Sequence, residues 1–185
     1  MYFAGIDIGS TATKAVVLQD GTAAGWALNP TGSHPRSSAE KTLADALAAA
    51  GAQNVRLEGV VATGYGRRIA GFDHRTVTEI TACARGLAGP DGASAYPAAV
   101  DLGGQDIKVV RLTETGGVGD FLMNDKCAAG TGRFLEVMAG VLETTLDGLA
   151  SLAAAARRPA SITATCTVFA ESEVLSLLSR EVPKE

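Results

Sequence analysis

Two short segments of the sequence combine an aspartate with a glycine-rich turn. The first comprises Asp7, Gly9, Ser10, Thr11, Ala12, Thr13 and Lys14, and the second comprises Asp101, Gly103, Gly104 and Gln105. Glycine lets backbone N–H groups approach phosphate oxygens, while hydroxyl groups and lysine add donors and positive charge. An aspartate at a strand end can hold Mg²⁺ through water, because Mg²⁺ keeps most of its hydration shell. The two segments together predict a site for a nucleotide and Mg²⁺.

Three side chains of this predicted site are candidates for catalytic roles. Asp7 would hold Mg²⁺, Asp101 would position a metal-bound water, and Gln105 would orient the attacking water, as in other nucleotide hydrolases. The sequence has no Gly-x-x-x-x-Gly-Lys-Ser/Thr motif, which excludes a P-loop protein. Because ordinary turns also use Asp and Gly, the alternative is that both segments are purely structural.

Cys127 and Cys166 are candidate metal ligands, since each lies at or just before the start of a predicted helix. The N–H groups and the dipole at a helix N-terminus favour an anionic sulfur ligand. Two thiolates are too few for a [4Fe–4S] cluster, which usually takes four, but a symmetric dimer would supply two from each subunit. The alternative is a small buried hydrophobic residue, which is the interpretation favoured for Cys83 in an apolar helix.

The hydrophobic pattern predicts the elements that must position these residues. Strands are predicted over residues 2–8, 15–19, 22–28, 57–62, 98–102 and 107–112, and around 120–123. Helices are predicted over residues 39–50, 77–87, 125–142, 146–156 and 168–180. This mixture of strands and helices indicates an α/β fold.

The opening pattern of the chain recurs in its second half. Residues 5–10 and 99–104 both place an Asp one residue before an apolar residue and two residues before a glycine turn. Such a repeat indicates two similar lobes, which we predict over residues 1–92 and 93–185, with a linker at 89–92. The alternative is two unrelated hairpins that share common turn residues.

The composition argues against nucleic-acid and membrane partners. The 185 residues are 46% hydrophobic and 19% charged with a net charge of −4, which suits a packed core and gives no basic surface for nucleic acid. No apolar run approaches the ~18 residues that span a bilayer, and the N-terminus lacks the basic region of a signal peptide. The 3 cysteines are an odd number and far apart, which argues against a disulfide framework. A cytoplasmic protein is predicted.

Residues 5–14 resemble the first phosphate motif of the acetate and sugar kinase/actin/heat-shock chaperone superfamily, whose fold is two-lobed and ribonuclease H-like. Further segments narrow the resemblance to the activators (component A) of 2-hydroxyacyl-CoA dehydratases, in the BadF/BadG/BcrA/BcrD ATPase family. These segments are residues 62–67, 78–81, 101–106, 123–136 and 165–173. The resemblance extends over residues 2–182 and is most specific around Cys127 and Cys166.

The resemblance implies a homodimer in which Cys127 and Cys166 of both subunits hold one [4Fe–4S] cluster. It implies that ATP or ADP binds with Mg²⁺ through residues 10–14 and 101–105, with Gly132 as a further contact. Hydrolysis would be coupled to transfer of one electron, supplied by a ferredoxin or flavodoxin, to a partner dehydratase. The family also continues beyond residue 185, so the second lobe is expected to be incomplete, with an exposed sheet edge.

Other functions stay open on the sequence. An ATPase subunit of benzoyl-CoA reductase, or another reductive activase, would use the same residues. A small-molecule kinase of the superfamily would need no pair of cysteines at a dimer contact. A non-catalytic remnant or interaction module is the third alternative.

Overall fold

A computed structural model describes residues 1–89, 96–124, 130–163 and 166–185. These residues form two compact units, each made of two stretches of chain. The first unit is Met1–Ala99 with Val110–Phe121, and the second is Val100–Val109 with Leu122–Glu185. The predicted lobe boundary between residues 92 and 93 lies outside the described residues and stays a prediction.

The first unit is built on a five-stranded sheet with the strand order β3-β2-β1-β4-β5. Its strands are β1 Tyr2–Ile8, β2 Ala12–Gln19, β3 Thr22–Pro30, β4 Gly59–Thr63 and β5 Arg75–Thr76. Strands β1, β2 and β3 form antiparallel pairs, whereas β4 runs parallel to β1. A parallel pair needs a crossover, and helix α1, Pro35–Ala49, lies within it.

Alternation along β1 separates the core from the face that carries Asp7. The buried residues Ala4, Ile6 and Ile8 belong to one core cluster with residues of α1. Since successive side chains of a strand point to opposite faces, Asp7 lies on the other side of the sheet. On β3, Trp26 is 71% exposed, so its large side chain is not part of this core.

Helix α1 begins at Pro35 instead of the predicted Ala39. Proline suits the first turn of a helix, because its φ is already helical and its missing N–H would have no partner there. Ser38 therefore lies inside the helix rather than before it. Its Oγ donates to the carbonyl oxygen of Pro30 at 3.0 Å, which ties the helix to the preceding loop.

A partly exposed polar cluster also joins β3 to α1. Asn29 Nδ2 donates to Asp45 Oδ2 at 2.8 Å, and Lys41 Nζ lies 2.5 Å from the same oxygen. The hydrogen bonds from Lys41 and then from Asn29 lower the pKa of the Asp45 carboxyl group. Because the folded-state pKa is depressed, this contribution to stability is present above the unfolded-state pKa and is lost as the pH falls through the folded-state pKa.

The remaining strands, β6 Ala98–Leu102, β7 Ile107–Leu112 and β8 Val118–Asn124, form a three-stranded sheet in that order. In the first unit, α2, Glu79–Ala88, packs through Ala84 on Val110 and Leu112. All residues of the edge strand β8 are exposed, among them Phe121 and Leu122.

Among the described residues, the second unit contains three short helices: α3 Gly132–Val141, α4 Leu146–Ala155 and α5 Thr167–Leu178. Helix α3 contacts both others. Its N-cap is Thr131, and residues 125–129 of the predicted helix lie outside the described residues. In the part of the chain that the structure describes, no single helix is long and apolar enough to cross a membrane; α3 and α4 pass that test only as a pair bent by 76°.

Gly25 of β3 allows the end of α1 to approach the sheet, because a Cβ there would overlap the backbone of Ala46 and Ala50. We expect Gly25→Ala to lower the free energy of unfolding by about 1–3 kcal/mol, the usual cost of overpacking. Urea unfolding followed by far-UV circular dichroism measures the change. Gly59→Ala is the matched control, since its Cβ would meet only the Phe3 ring at 3.6 Å. Equal losses in the two variants would contradict this account.

Candidate functional site

The turn between β1 and β2 carries the first group of predicted site residues. The N–H of Gly9 donates to the carbonyl oxygen of Ala12 at 3.1 Å, which closes the turn. Ser10 is partly exposed, and Thr11 and Lys14 are exposed. The turn therefore presents hydroxyl groups and an ammonium group to solvent at the end of the two strands.

A pair of buried threonines supports this turn. Thr13 is fully buried, and its Oγ1 lies 2.9 Å from Oγ1 of Thr31. The hydroxyl group of Thr31 in turn donates to the carbonyl oxygen of Gly9 at 2.7 Å. The backbone N–H of Thr31 donates to the carbonyl oxygen of Thr11 at 2.9 Å. Because a hydroxyl group has one hydrogen, Thr13 is the donor to Thr31. The structure thus places Thr13 inside the hairpin, and no sequence motif points to Thr31.

Asp7, Lys14 and Thr63 are neighbours on adjacent strands at the carboxyl end of β1. Lys14 Nζ lies 2.9 Å from Asp7 Oδ2, and the two side chains are 51% and 35% exposed. Oγ1 of Thr63 is buried and has no hydrogen-bond partner among the described residues. The row brings a carboxylate, an ammonium group and an unpaired hydroxyl to the strand end beside the first turn.

The loop that follows β4 packs against the same strand end. Gly64 has a φ of +90°, a conformation that side chains rarely tolerate. A Cβ on Gly64 would also overlap Asp7 and the carbonyl group of Ile8. The N–H of Gly66 donates to the Ile8 carbonyl oxygen at 2.8 Å. This loop therefore limits where the Asp7 carboxylate can lie.

The turn between β6 and β7 carries the second group of predicted site residues, in the second unit. The side chain of Asp101 is 48% exposed, Gln105 is exposed, and Gly103 and Gly104 are partly buried. The N–H of Gly132, the first residue of α3, donates to the Gly103 carbonyl oxygen at 2.8 Å. The start of α3 is therefore attached to the turn that follows Asp101.

Lys108 belongs to the same hairpin and is absent from the residues predicted above. Its side chain is 4% exposed, and Nζ lies 2.5 Å from Asp106 Oδ1 and 3.4 Å from Asp101 Oδ2. The repeat in the sequence contained the signal, since Lys108 follows Asp101 by 7 residues, as Lys14 follows Asp7. A buried ammonium group is thus part of the second hairpin.

The two cysteines predicted as ligands differ in what the structure describes. Cys127 lies outside the described residues. Cys166 is the N-cap of α5, partly buried, with extended backbone angles of −151° and 138°. Just after it, Val168 and Phe169 are 65% and 63% exposed. The sulfur of Cys166 therefore belongs to a helix N-terminus that also carries exposed apolar side chains.

Hydrogen bonding also constrains the chain around Cys166. Glu173 Oε2 accepts the N–H of Thr163 at 2.5 Å, which ties the segment before Cys166 to the second turn of α5. Oγ1 of Thr167 is buried and has no hydrogen-bond partner within the described ranges. Cys83, by contrast, is a half-buried residue of α2 in the first unit.

The residues that the structure describes contain no group of three or more His, Cys, Asp or Glu side chains suited to hold a metal ion. Neither described cysteine, Cys83 nor Cys166, forms a disulfide. One thiol supplies only a quarter of the usual ligands of a [4Fe–4S] cluster. Cys166 would therefore need three further ligands to hold such a cluster.

Comparison with known proteins identifies relatives along the whole chain. A model of the BadF/BadG/BcrA/BcrD ATPase family matches residues 4–185. The activator of lactoyl-CoA dehydratase from Anaerotignum propionicum is 47% identical over 190 residues, covering 100% of this chain and 70% of that protein.

Two solved structures are similar to this one. The Acidaminococcus fermentans (R)-2-hydroxyglutaryl-CoA dehydratase component A has a TM-score of 0.85 and 39% identity, covering 100% of this chain and 70% of its own. The activator of the 2-hydroxyisocaproyl-CoA dehydratase from Clostridium difficile, with bound ADPNP, has a TM-score of 0.83 and 40% identity. The match covers 98% of this chain and 67% of that one. The predicted α/β, ribonuclease H-like fold is confirmed, and the chain belongs to the BadF/BadG/BcrA/BcrD ATPase family.

Proposed function

We propose that this chain is an ATP-hydrolysing activator that passes one electron to a 2-hydroxyacyl-CoA dehydratase. The observation that carries the proposal is the repeated hairpin, in which an Asp at a strand end contacts a Lys of the next strand. Both hairpins occur in a chain of an ATPase family. Relatives at 39–47% identity that are named as dehydratase activators or components support the choice of partner.

In the first hairpin the Asp7–Lys14 ion pair can exchange partners when nucleotide binds. Both side chains are accessible to solvent. Lys14 would therefore bind a phosphate group, and the Asp7 carboxylate would accept hydrogen bonds from the water molecules around Mg²⁺. The exchange replaces one favourable charge pair by two, because phosphate and Mg²⁺ carry opposite charges. The backbone and hydroxyl groups of Gly9, Ser10 and Thr11 add neutral donors to the phosphates.

The second hairpin supplies the groups that act on water. The half-exposed Asp101 carboxylate can accept hydrogen bonds from a metal-bound water. Gln105 is exposed, and its amide can both donate and accept, which lets it orient the water that attacks the γ-phosphorus. Attack forms the new P–O bond as the bond to ADP breaks, and the water proton leaves with inorganic phosphate.

Electron transfer requires a redox group, for which we propose a [4Fe–4S] cluster held by Cys127 and Cys166 of two copies of the chain. When bound, such a cluster takes up and releases one electron at low potential. The N-cap position of Cys166 fits this role, because the dipole of α5 stabilises anionic sulfur. Val168 and Phe169 add exposed apolar surface that a second copy could cover. A ferredoxin or flavodoxin is the proposed donor.

Loss of either hairpin's charged group is expected to slow ATP hydrolysis. Lys14→Ala removes a phosphate contact and Asp101→Asn removes a negative charge from the water site, so each should reduce kcat about 10²-fold. Phosphate release with Mg²⁺ and ATP measures the rate. The control is Lys41→Ala, which removes an exposed lysine paired with Asp45 on α1 and should leave the rate unchanged. Wild-type rates in the two hairpin variants would contradict the assignment.

The cluster assignment predicts different outcomes for the three cysteines. Cys127→Ser and Cys166→Ser should each abolish iron binding after anaerobic reconstitution and weaken the dimer, whereas Cys83→Ser should change neither. Iron and sulfide analysis with size-exclusion chromatography measures both properties, with about four irons expected per wild-type dimer. Bleaching by Cys83→Ser alone would show that the ligands are misassigned.

The partner is tested by activation of a purified 2-hydroxyacyl-CoA dehydratase. With reduced ferredoxin, the reconstituted chain should start substrate dehydration in the presence of ATP and not with ADP, because hydrolysis drives the electron transfer. Formation of the enoyl-CoA is followed by absorbance. Equal dehydration with ADP, or none with ATP by an iron-loaded dimer, would rule out the activator role.

A further inference from the structure

Lys108 and Lys14 have the same place in the two hairpins but different surroundings. Each follows an Asp by 7 residues and contacts it. The Lys14 side chain is 51% exposed and pairs with Asp7, whereas that of Lys108 is 4% exposed and pairs with two carboxylates. Burying an ammonium group is costly unless it is paired, so these two contacts hold Lys108 in its position.

Asp106 is one difference between the two hairpins. When the two segments are aligned on Asp7 and Asp101, Asp106 takes the place of Ala12. Its carboxylate is 21% exposed and lies 2.5 Å from Nζ of Lys108, nearer than Asp101 at 3.4 Å. The second hairpin therefore contains a carboxylate that anchors its lysine, and the first hairpin has a methyl group at that position.

The contact between Asp106 and Lys108 leaves the Asp101 carboxylate accessible to water. Since Asp106 is the closer partner of Lys108, the ammonium group orients Asp101 without enclosing it, and the Asp101 side chain stays 48% exposed. A cation that turned away, as Lys14 can, would leave Asp101 without this restraint. A fixed cation beside a half-exposed carboxylate suits a group that must hold water in one orientation.

We propose that Lys108, anchored by Asp106, is a positioning residue that holds the Asp101 carboxylate in the orientation needed for ATP hydrolysis. The inference rests on the proposed function, because it assigns Asp101 to the water site. It gives the two lysines distinct tasks: Lys14 exchanges its partner for phosphate, and Lys108 stays in place.

The test compares the wild-type chain with Lys108→Met and with the double variant Asp106→Ala/Lys108→Met. Lys108→Met should lower kcat for ATP about tenfold or more, with a smaller change in KM, because orientation is lost rather than nucleotide binding. If Lys108 served only to neutralise Asp106, removal of both would restore kcat. Under our proposal the double variant stays slow. Circular dichroism establishes whether each variant is folded. If Lys108→Met does not fold, the kcat of the double variant is compared with that of the wild type instead.

Mn²⁺ binding without nucleotide, measured by electron paramagnetic resonance, gives a readout independent of turnover. Lys108→Met should bind Mn²⁺ about fivefold more tightly than wild type, because two adjacent carboxylates lose their ammonium group, and the double variant should bind less tightly than the single one. Unchanged Mn²⁺ affinity with unchanged kcat in Lys108→Met would overturn the inference alone. A wild-type chain that binds ATP but does not hydrolyse it would overturn the proposed function, and the inference with it.

Discussion

The positions of the charged residues in the first hairpin depend on the register between β1 and β2. One face of this sheet packs against α1, and the other face carries Asp7. In the first hairpin, pairing of β1 with β2 sets Asp7 opposite Lys14. A shift of one residue would move a charged side chain to the face covered by α1, where Ile6 and Ile8 are buried. The apolar residues that pack on α1 therefore also determine where the charges lie. The same strand register thus sets both the core residues and the positions of Asp7 and Lys14.

The two hairpins place their lysines in different surroundings. The Lys14 side chain is half-exposed, whereas that of Lys108 is buried and contacts Asp101 and Asp106. A repeated motif can thus supply a movable cation in one copy and a fixed one in the other. In the proposed ATPase, binding of phosphate and orientation of water would be divided between these copies.

Local patterns in the sequence were sufficient for most of the fold. Apolar runs and turn residues indicated most of the strands and helices, although α1 and α3 begin at residues other than the predicted ones. Contacts between distant residues were not accessible in this way. Thr31 reaches Thr13 only because β3 pairs with β2. The burial of Lys108 was missed for another reason, since a lysine side chain is usually exposed. Pro35, four residues before the predicted start of the helix, instead begins it.

Gly64 contacts the end of β1, and the position of the Asp7 carboxylate depends on Gly64 having no Cβ. Only the hydrogen atoms of Gly64 separate the loop after β4 from Asp7, and its positive φ disfavours any larger residue. Substitutions here would displace the carboxylate without altering any group that takes part in chemistry. A substitution of Gly64 would therefore resemble removal of the Asp7 carboxylate, although its origin would be steric.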